Sequence, residues 1–232
     1  EKSINALIEI YSKWVDPKKI LTTDLWSSEL AKLTSNAFLA QRISSINSIS
    51  ALCESTGADI KDVSLAIGKD SRIGEGFLNS GPGFGGSCFK KDILNLVYIC
   101  DHYGLKEVAS YWQKVVDINN WQQKRIIKIV VESLFENISG KKIAILGFAF
   151  KAKTNDTRES PSKVICKELL EEGANLHIYD PRVNREQISR DLEIEESNSI
   201  LNFKTQDGIW RFSQDINKTI ENSDAVILMT EW

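Results

Sequence analysis

The spacing of apolar residues changes character once along this chain, at Gly140, and that change limits the possible folds more than any other feature. Before it, apolar side chains recur at the three- and four-residue intervals of amphipathic helices. After it, short apolar runs closed by turn residues alternate with helical stretches. A chain of 232 residues can hold two modest cores. The expectation is an α/β protein: a helical part over residues 1–138, then a doubly wound parallel sheet over 139–232, with the sheet incomplete at the C-terminus.

In the first part, Ile4, Leu7, Ile8 and Tyr11 predict a helix over residues 1–14, stopped before Pro17 and followed by an extended stretch at 19–23. Leu30, Leu33, Ala37, Ala40, Ile43, Ile46, Ile49 and Leu52 then mark one long helix ending at Gly57. Its roughly 28 residues would reach about 42 Å, more than a small domain needs, so it should bridge domains or form a subunit interface. Asp59 can cap a short helix ending at Gly68. A loop rich in glycine follows, then a helix from residue 87 or 88 to near Gly104 that buries Ile93, Leu94, Leu96, Val97 and Cys100, and a helical pattern over 107–137. Beyond Gly140, Lys141 to Gly147 reads as a buried parallel strand. Ser160 and Pro161 open a helix that Gly173 can end, Leu176 to Tyr179 is a second strand, a short helix is expected around 214–222, and Ala225 to Met229 is a third strand.

Composition removes several function classes. No apolar run approaches the roughly 20 residues that span a bilayer, and residues 1–5 lack the features of a secretory signal, so a cytoplasmic, non-membrane protein is expected. A net charge of -3 gives no basic field for a nucleic acid backbone. The four cysteines form no CxxC pair and there are only two histidines, so neither zinc nor a disulfide framework has support. Cys53, Cys100 and Cys166 sit in apolar stretches where a thiol serves as a small core residue. Cys88 does not.

Cys88 lies within Gly83-Phe84-Gly85-Gly86-Ser87-Cys88-Phe89-Lys90-Lys91-Asp92. The glycines allow close backbone approach and deliver the thiol to a helix start, whose free N–H groups, with Lys90 and Lys91, favour a thiolate. The plainer reading is a structural turn with a packed cysteine. Asp92 shares the helix face of Cys88 one turn on, although alone it could simply answer the helix dipole. Lys32 and Asn36, one turn apart on the long helix, could stabilise an oxyanion, or could face solvent like most such residues. The turn Gly147-Phe148-Ala149-Phe150-Lys151 and the loop through Arg158 form the expected ligand edge of the sheet. No GxGxxG is present, and Asp180 falls well past the spacing of a ribose-binding acid, so this part either binds another nucleotide or is purely structural.

Taken together, these motifs resemble the UDP-glucose/GDP-mannose dehydrogenase family, and within it the UDP-glucose 6-dehydrogenases. The matching segments are Leu21-Thr22-Thr23, Trp26-Ser27-Ser28-Glu29-Leu30, the run from Asn36 through Asn47, the thiol motif, Ile145 through Lys151, Asp156-Thr157-Arg158-Glu159-Ser160 and Thr230-Glu231-Trp232. The resemblance implies a central domain whose long helix makes a homo-oligomer interface, a Rossmann-like UDP-binding domain after it, and a chain that begins after the NAD-binding domain. It implies NAD as cofactor, and oxidation of UDP-glucose to UDP-glucuronate by two hydride transfers through a cysteine thiohemiacetal and thioester.

By the same resemblance Cys88 is the nucleophile, Lys32 and Asn36 handle the substrate oxygen, and Asp92 assists proton transfer. Substrate binding falls to Lys32, Leu33, Thr34, Ser35 and Asn36, to Asn79, Ser80, Gly81, Pro82, Gly83, Phe84 and Gly85, and to Phe150 and Lys151. Arg72 is expected to serve a neighbouring subunit. Cys88, Phe89, Lys90, Lys91 and Arg158 are expected to touch NAD. Asn79 departs from the family's pattern, which calls for lysine. A catalytic glutamate and a substrate-binding arginine of the family fall outside these 232 residues. Two competing readings remain: a sibling enzyme acting on GDP-mannose or a UDP-N-acetylhexosamine, and a non-catalytic fragment that dimerises and binds a nucleotide.

Overall fold

A computed structural model describes residues 1–197 and 208–232. The helical part runs α1 (Lys2–Tyr11), a 3-10 turn (Pro17–Lys19), α2 (Leu25–Thr56), α3 (Ile60–Gly68), α4 (Phe89–His102) and α5 (Lys106–Ser133). The sheet part runs β1 (Lys142–Leu146), α6 (Pro161–Glu171), β2 (Asn175–Tyr179), α7 (Arg185–Leu192), β3 (Ile209–Phe212), α8 (Ile216–Ile220) and β4 (Ala225–Leu228).

Local chemistry sets the helix ends. The Asp24 carboxylate accepts the Ser27 N–H at 3.0 Å to open α2, and Gly57 closes it at φ +77°, a conformation glycine adopts without a Cβ penalty. Between them α2 has 32 residues, about 48 Å of helix. Asp59 accepts the Lys61 N–H at 2.7 Å and so caps α3. Ala37 and Ala40 put almost no bulk on the buried stripe of α2, which lets α4 and α5 pack against it through Ile93, Leu96, Trp112 and Val116.

The four strands are all parallel, in the order β3-β2-β1-β4. Strand β1 is buried on both faces, with Ile143 and Ile145 enclosed on one and Ala144 on the other, while β2 alternates, Leu176 and Ile178 enclosed and His177 half-buried. Ile127 and Val130 of α5 join that core, so α5 is the element that reaches from the helical core into the sheet core.

The structure corrects several expectations. A fourth strand is present: β3 and the preceding α7 lie where a polar stretch was expected to hold only a short helix, and residues 198–207 of that stretch lie outside the described residues. The Ala225 strand is therefore fourth in the chain and borders β1, not third. Leu94 faces outward at 40 % exposure, because α4 packs with a narrower stripe than its composition offers. Helix α1 ends at Tyr11, and Ile4, Leu7 and Tyr11 are exposed. Helix α5 ends at Ser133, short of 137.

Candidate functional site

Two groups of residues separated by more than fifty positions in the sequence meet where α2 crosses α4. Asn36 Nδ2 donates to Asp92 Oδ2 at 2.5 Å, and Lys32 Nζ stands 3.7 Å from the same oxygen. Asp92 is largely shielded and Lys32 largely exposed, at 18 % and 69 % of side-chain surface. An ion pair this exposed adds little stability. Cys88 sits one turn before Asp92, at the N-terminal boundary of α4, and its carbonyl accepts the Asp92 N–H at 2.8 Å. Its Sγ lies 3.6 Å from Ser87 Oγ, and it is the exposed cysteine of the four, the other three being buried.

The glycine loop leading to Cys88 is packed against the sheet part. A Cβ on Gly85 would come within 2.5 Å of the Glu159 carbonyl, and one on Gly86 within 2.9 Å of the Phe150 ring. Gly86 donates its N–H to the Arg158 carbonyl at 2.8 Å, and Lys90 Nζ pairs with Glu159 Oε2 at 2.7 Å. These contacts join the thiol helix to the loop that follows β1.

Between the same loops lies a cleft of about 500 Å³, lined by Asn79, Gly81, Pro82, Phe150, Lys151 and Thr230 among others. It opens at the carboxyl ends of β1 and β4, where the strand order reverses, the position at which doubly wound sheets bind ligands. Asp180 holds the floor of this edge. Its buried carboxylate accepts four backbone N–H groups, from Phe148 (2.7 Å) and Ala149 (3.0 Å) on one oxygen and from Arg182 (2.7 Å) and Val183 (2.8 Å) on the other. Lys151 Nζ lies 5.3 Å from the Phe150 ring centroid, within reach of a cation–π contact.

Of the residues singled out from sequence, the structure brings Lys32, Asn36 and Asp92 together. It places Asn79, Ser80, Gly81, Pro82, Gly83, Phe150 and Lys151 on the cleft. Phe84 is buried beneath the loop, its ring 5.9 Å from Phe89. Leu33 and Thr34 are half-buried on α2, and Ser35 bonds back to the Ala31 carbonyl at 2.8 Å; none of the three lines the cleft. Arg72 also stands apart, exposed on the turn after α3 and paired with Asp70 at 2.6 Å. Arg158 is exposed and forked onto Asp156, an arrangement that raises the guanidinium's pKa and lowers the carboxyl's.

Sequence reasoning passed over Asn119 and Gln122, weighed Asp180 only as a ribose-binding acid, and named Asn47 only as the end of a matching run. Asn47 and Asn119 left a signal, since each continues an otherwise apolar stripe of its helix (Ala40, Ile43, Asn47 and Trp112, Val115, Asn119), where a buried amide needs a partner. Among the described residues no group of three or more His, Cys, Asp or Glu is arranged to hold a metal ion, and no helix is long and apolar enough to cross a membrane.

Residues 26–121 match the central domain of the UDP-glucose/GDP-mannose dehydrogenase family, and residues 144–232 match that family's UDP binding domain. The chain is 54 % identical over 235 residues to the UDP-glucose 6-dehydrogenase of Gallus gallus, covering 100 % of this chain and 46 % of that protein. It is 50 % identical over 242 residues to UDP-glucose 6-dehydrogenase 4 of Oryza sativa, covering 50 % of it. Among solved structures, a UDP-glucose dehydrogenase from Pyrobaculum islandicum superimposes with a TM-score of 0.83 at 28 % identity, over 100 % of this chain and 49 % of that one. The chain thus spans about half the length of the relatives it matches.

Proposed function

Because this chain belongs to the UDP-glucose/GDP-mannose dehydrogenase family, we propose that it is the thiol-bearing and UDP-sugar-binding part of an enzyme that oxidises UDP-glucose to UDP-glucuronate. The observation that carries this reading is the convergence of Lys32, Asn36 and Asp92 one helical turn from the exposed Cys88. Residues 1–138 would form the central domain and 139–232 the nucleotide domain, in a cytoplasmic homo-oligomer paired through α2. Phe38 and Leu52, apolar and more than half exposed on α2, supply the physical motive for that pairing.

In this proposal the uridine diphosphate occupies the cleft, with Phe150 as an apolar wall and Lys151 as the cation facing phosphate. The loop Asn79 to Gly85 covers it, and the neutral Asn79 leaves more of the phosphate charge to Lys151. The sugar's terminal carbon then faces Cys88. At the aldehyde level the Cys88 sulfur adds to the carbonyl carbon, and the Lys32 ammonium and Asn36 amide hold the oxygen as it gains negative charge. Asp92, hydrogen-bonded to Asn36, orients that amide and can pass a proton to or from the reacting oxygen or the hydrolytic water.

NAD, when bound, supplies the hydride acceptor. The residues present fit one edge of it: Arg158 and Lys91 are exposed cations, and the first turn of α4 presents free N–H groups to an anion. Titration of UDP-glucose into the purified chain tests the substrate assignment. Binding should be saturable and should weaken about tenfold or more in Lys151→Ala, a charged hydrogen bond contributing roughly 1.5–3 kcal/mol. Absence of binding, or tighter binding of NAD than of UDP-glucose, would overturn it.

A further inference from the structure

We propose that three buried side-chain amides, Asn47 of α2 and Asn119 and Gln122 of α5, are positioning residues that hold the cleft loop in the geometry that accepts a sugar nucleotide. The inference deepens the function proposed above and rests on it.

The loop approaching Cys88, half-buried from Ser80 to Gly83 and buried from Phe84 to Gly86, has almost no backbone partners of its own. Between Asn79 and Ser87 the one backbone–backbone hydrogen bond among the described residues is Gly86 N–H to the Arg158 carbonyl. Buried peptide groups must nevertheless be paired, and here helix side chains do it. Asn119 takes both polar groups of Phe84: its Oδ1 accepts the N–H at 2.7 Å and its Nδ2 donates to the carbonyl at 3.2 Å, as a neighbouring strand would. One turn along α5, Gln122 Nε2 donates to the Gly81 carbonyl at 2.9 Å. From α2, Asn47 Oδ1 accepts the Gly81 N–H at 2.9 Å. Both polar groups of Gly81 and both of Phe84 are thereby fixed to rigid helices.

Packing alone does not explain these residues. Asn47, Asn119 and Gln122 are 0 %, 4 % and 4 % exposed, and a site that needed only volume would be served better by leucine or methionine, which carry no desolvation cost. Asn47 even leaves its Nδ2 without a partner among the described residues, so its acceptor bond to Gly81 is what sets it apart from an apolar side chain. What the amides add is direction. They orient Gly81, Pro82 and Gly83, which line the cleft, and they fix Phe84, from which Gly85, Gly86 and Ser87 lead directly to Cys88. Gly83 belongs to the same device: at φ +118° a Cβ would stand 2.6 Å from Asn119 Oδ1.

Volume-conserving variants separate direction from packing. In the purified chain, Asn119→Leu and Gln122→Met keep bulk and lose the amide, while Asn119→Asp keeps an acceptor for the Phe84 N–H. UDP-glucose affinity measured by calorimetry should fall about tenfold or more in Asn119→Leu and threefold or more in Gln122→Met, with Asn119→Asp closer to the parent, on the scale of one or two lost buried hydrogen bonds. The thermal transition should remain cooperative in each. The Phe84 amide should also exchange with solvent at least tenfold faster in Asn119→Leu. Affinity within twofold of the parent in folded Asn119→Leu and Gln122→Met overturns the proposal; if Asn119→Leu does not fold, Gln122→Met alone decides by the same criterion. If the parent itself takes up no UDP-glucose, the substrate reading has failed, and amide exchange then judges the clamp: an unchanged Phe84 rate in Asn119→Leu overturns it as well.

Discussion

At the scale of single residues, the four cysteines show how one side-chain type is divided between packing and chemistry. Burial raises the pKa of Cys166, and burial followed by the charge of Asp101 raises that of Cys100, so both stay protonated and inert. Cys53 is buried as well, whereas Cys88 is exposed at the end of a helix. Iodoacetamide at neutral pH, followed by peptide mass analysis, should therefore label Cys88 before the others. Earlier labelling of any buried cysteine would contradict its assignment as the nucleophile. Lys32 permits a second test, because its ion pair with Asp92 is too exposed to matter much for folding. In an enzyme that includes the cofactor-binding part, Lys32→Ala should lower kcat about 100-fold, the order of one lost oxyanion donor, with little change in KM or melting temperature. A change confined to KM would instead make Lys32 a ground-state binding residue. The thiol motif around Cys88 stood out in the sequence as a local pattern, whereas Lys32 and Asn36 were singled out through the family resemblance, their spacing alone leaving a solvent-facing role open. Asp180 and Gln122 gave no such pattern and Asn119 only that of an amide in an apolar stripe, because each acts on a distant peptide group.

At the scale of elements, the turn after β1 depends on a residue that follows β2. Asp180→Ala would leave four N–H groups of two turns without their acceptor and should lower unfolding free energy by about 3 kcal/mol, several lost bonds to a charged group being less than additive. Urea denaturation measures this directly, and a loss below about 1 kcal/mol would mean that solvent replaces the carboxylate. Strand β2 also carries a pH dependence. Burial, then the charges of Lys142 and Arg211, depress the pKa of His177 from 6.5 to about 4. Between those values the unfolded chain binds a proton that the folded protein does not, so stability is fully present above about pH 6.5 and declines as pH falls toward 4. The melting temperature should drop less over that window in His177→Gln, and parallel curves for parent and variant would refute the assignment. Most helices were readable from their periodicity, and two from their caps, Asp59 and Ser160. Strand β3 was not, since Ile-Trp-Arg-Phe is four residues long and gains strand character from pairing with β2.

At the scale of the whole molecule, α2 and α5 divide the work of connection. Helix α5 carries Ile127 and Val130 into the sheet core, while α2 leaves Phe38 and Leu52 facing outward. If α2 is a self-association surface, sedimentation equilibrium should show a concentration-dependent dimer or larger species. Replacing Phe38 and Leu52 together by glutamate should shift it to monomer, because a charge buried in an interface has no partner. A chain that remains monomeric at high concentration would exclude pairing through α2.

The sequence by itself determined the secondary-structure periods, the helix caps, the absence of a dinucleotide fingerprint and the thiol motif, because each is written in residues close enough to interact along one element. Only the tertiary structure decided that Lys32 and Asn36 meet Asp92, that the glycine loop lies against Phe150 and Glu159, and that the cleft opens where the order of β1 and β4 reverses. Those relations join residues from about 50 to more than 80 positions apart, and they follow from how small side chains such as Ala37, Ala40, Gly85 and Gly147 let backbones approach, a steric fact that becomes visible only once both partners are in place.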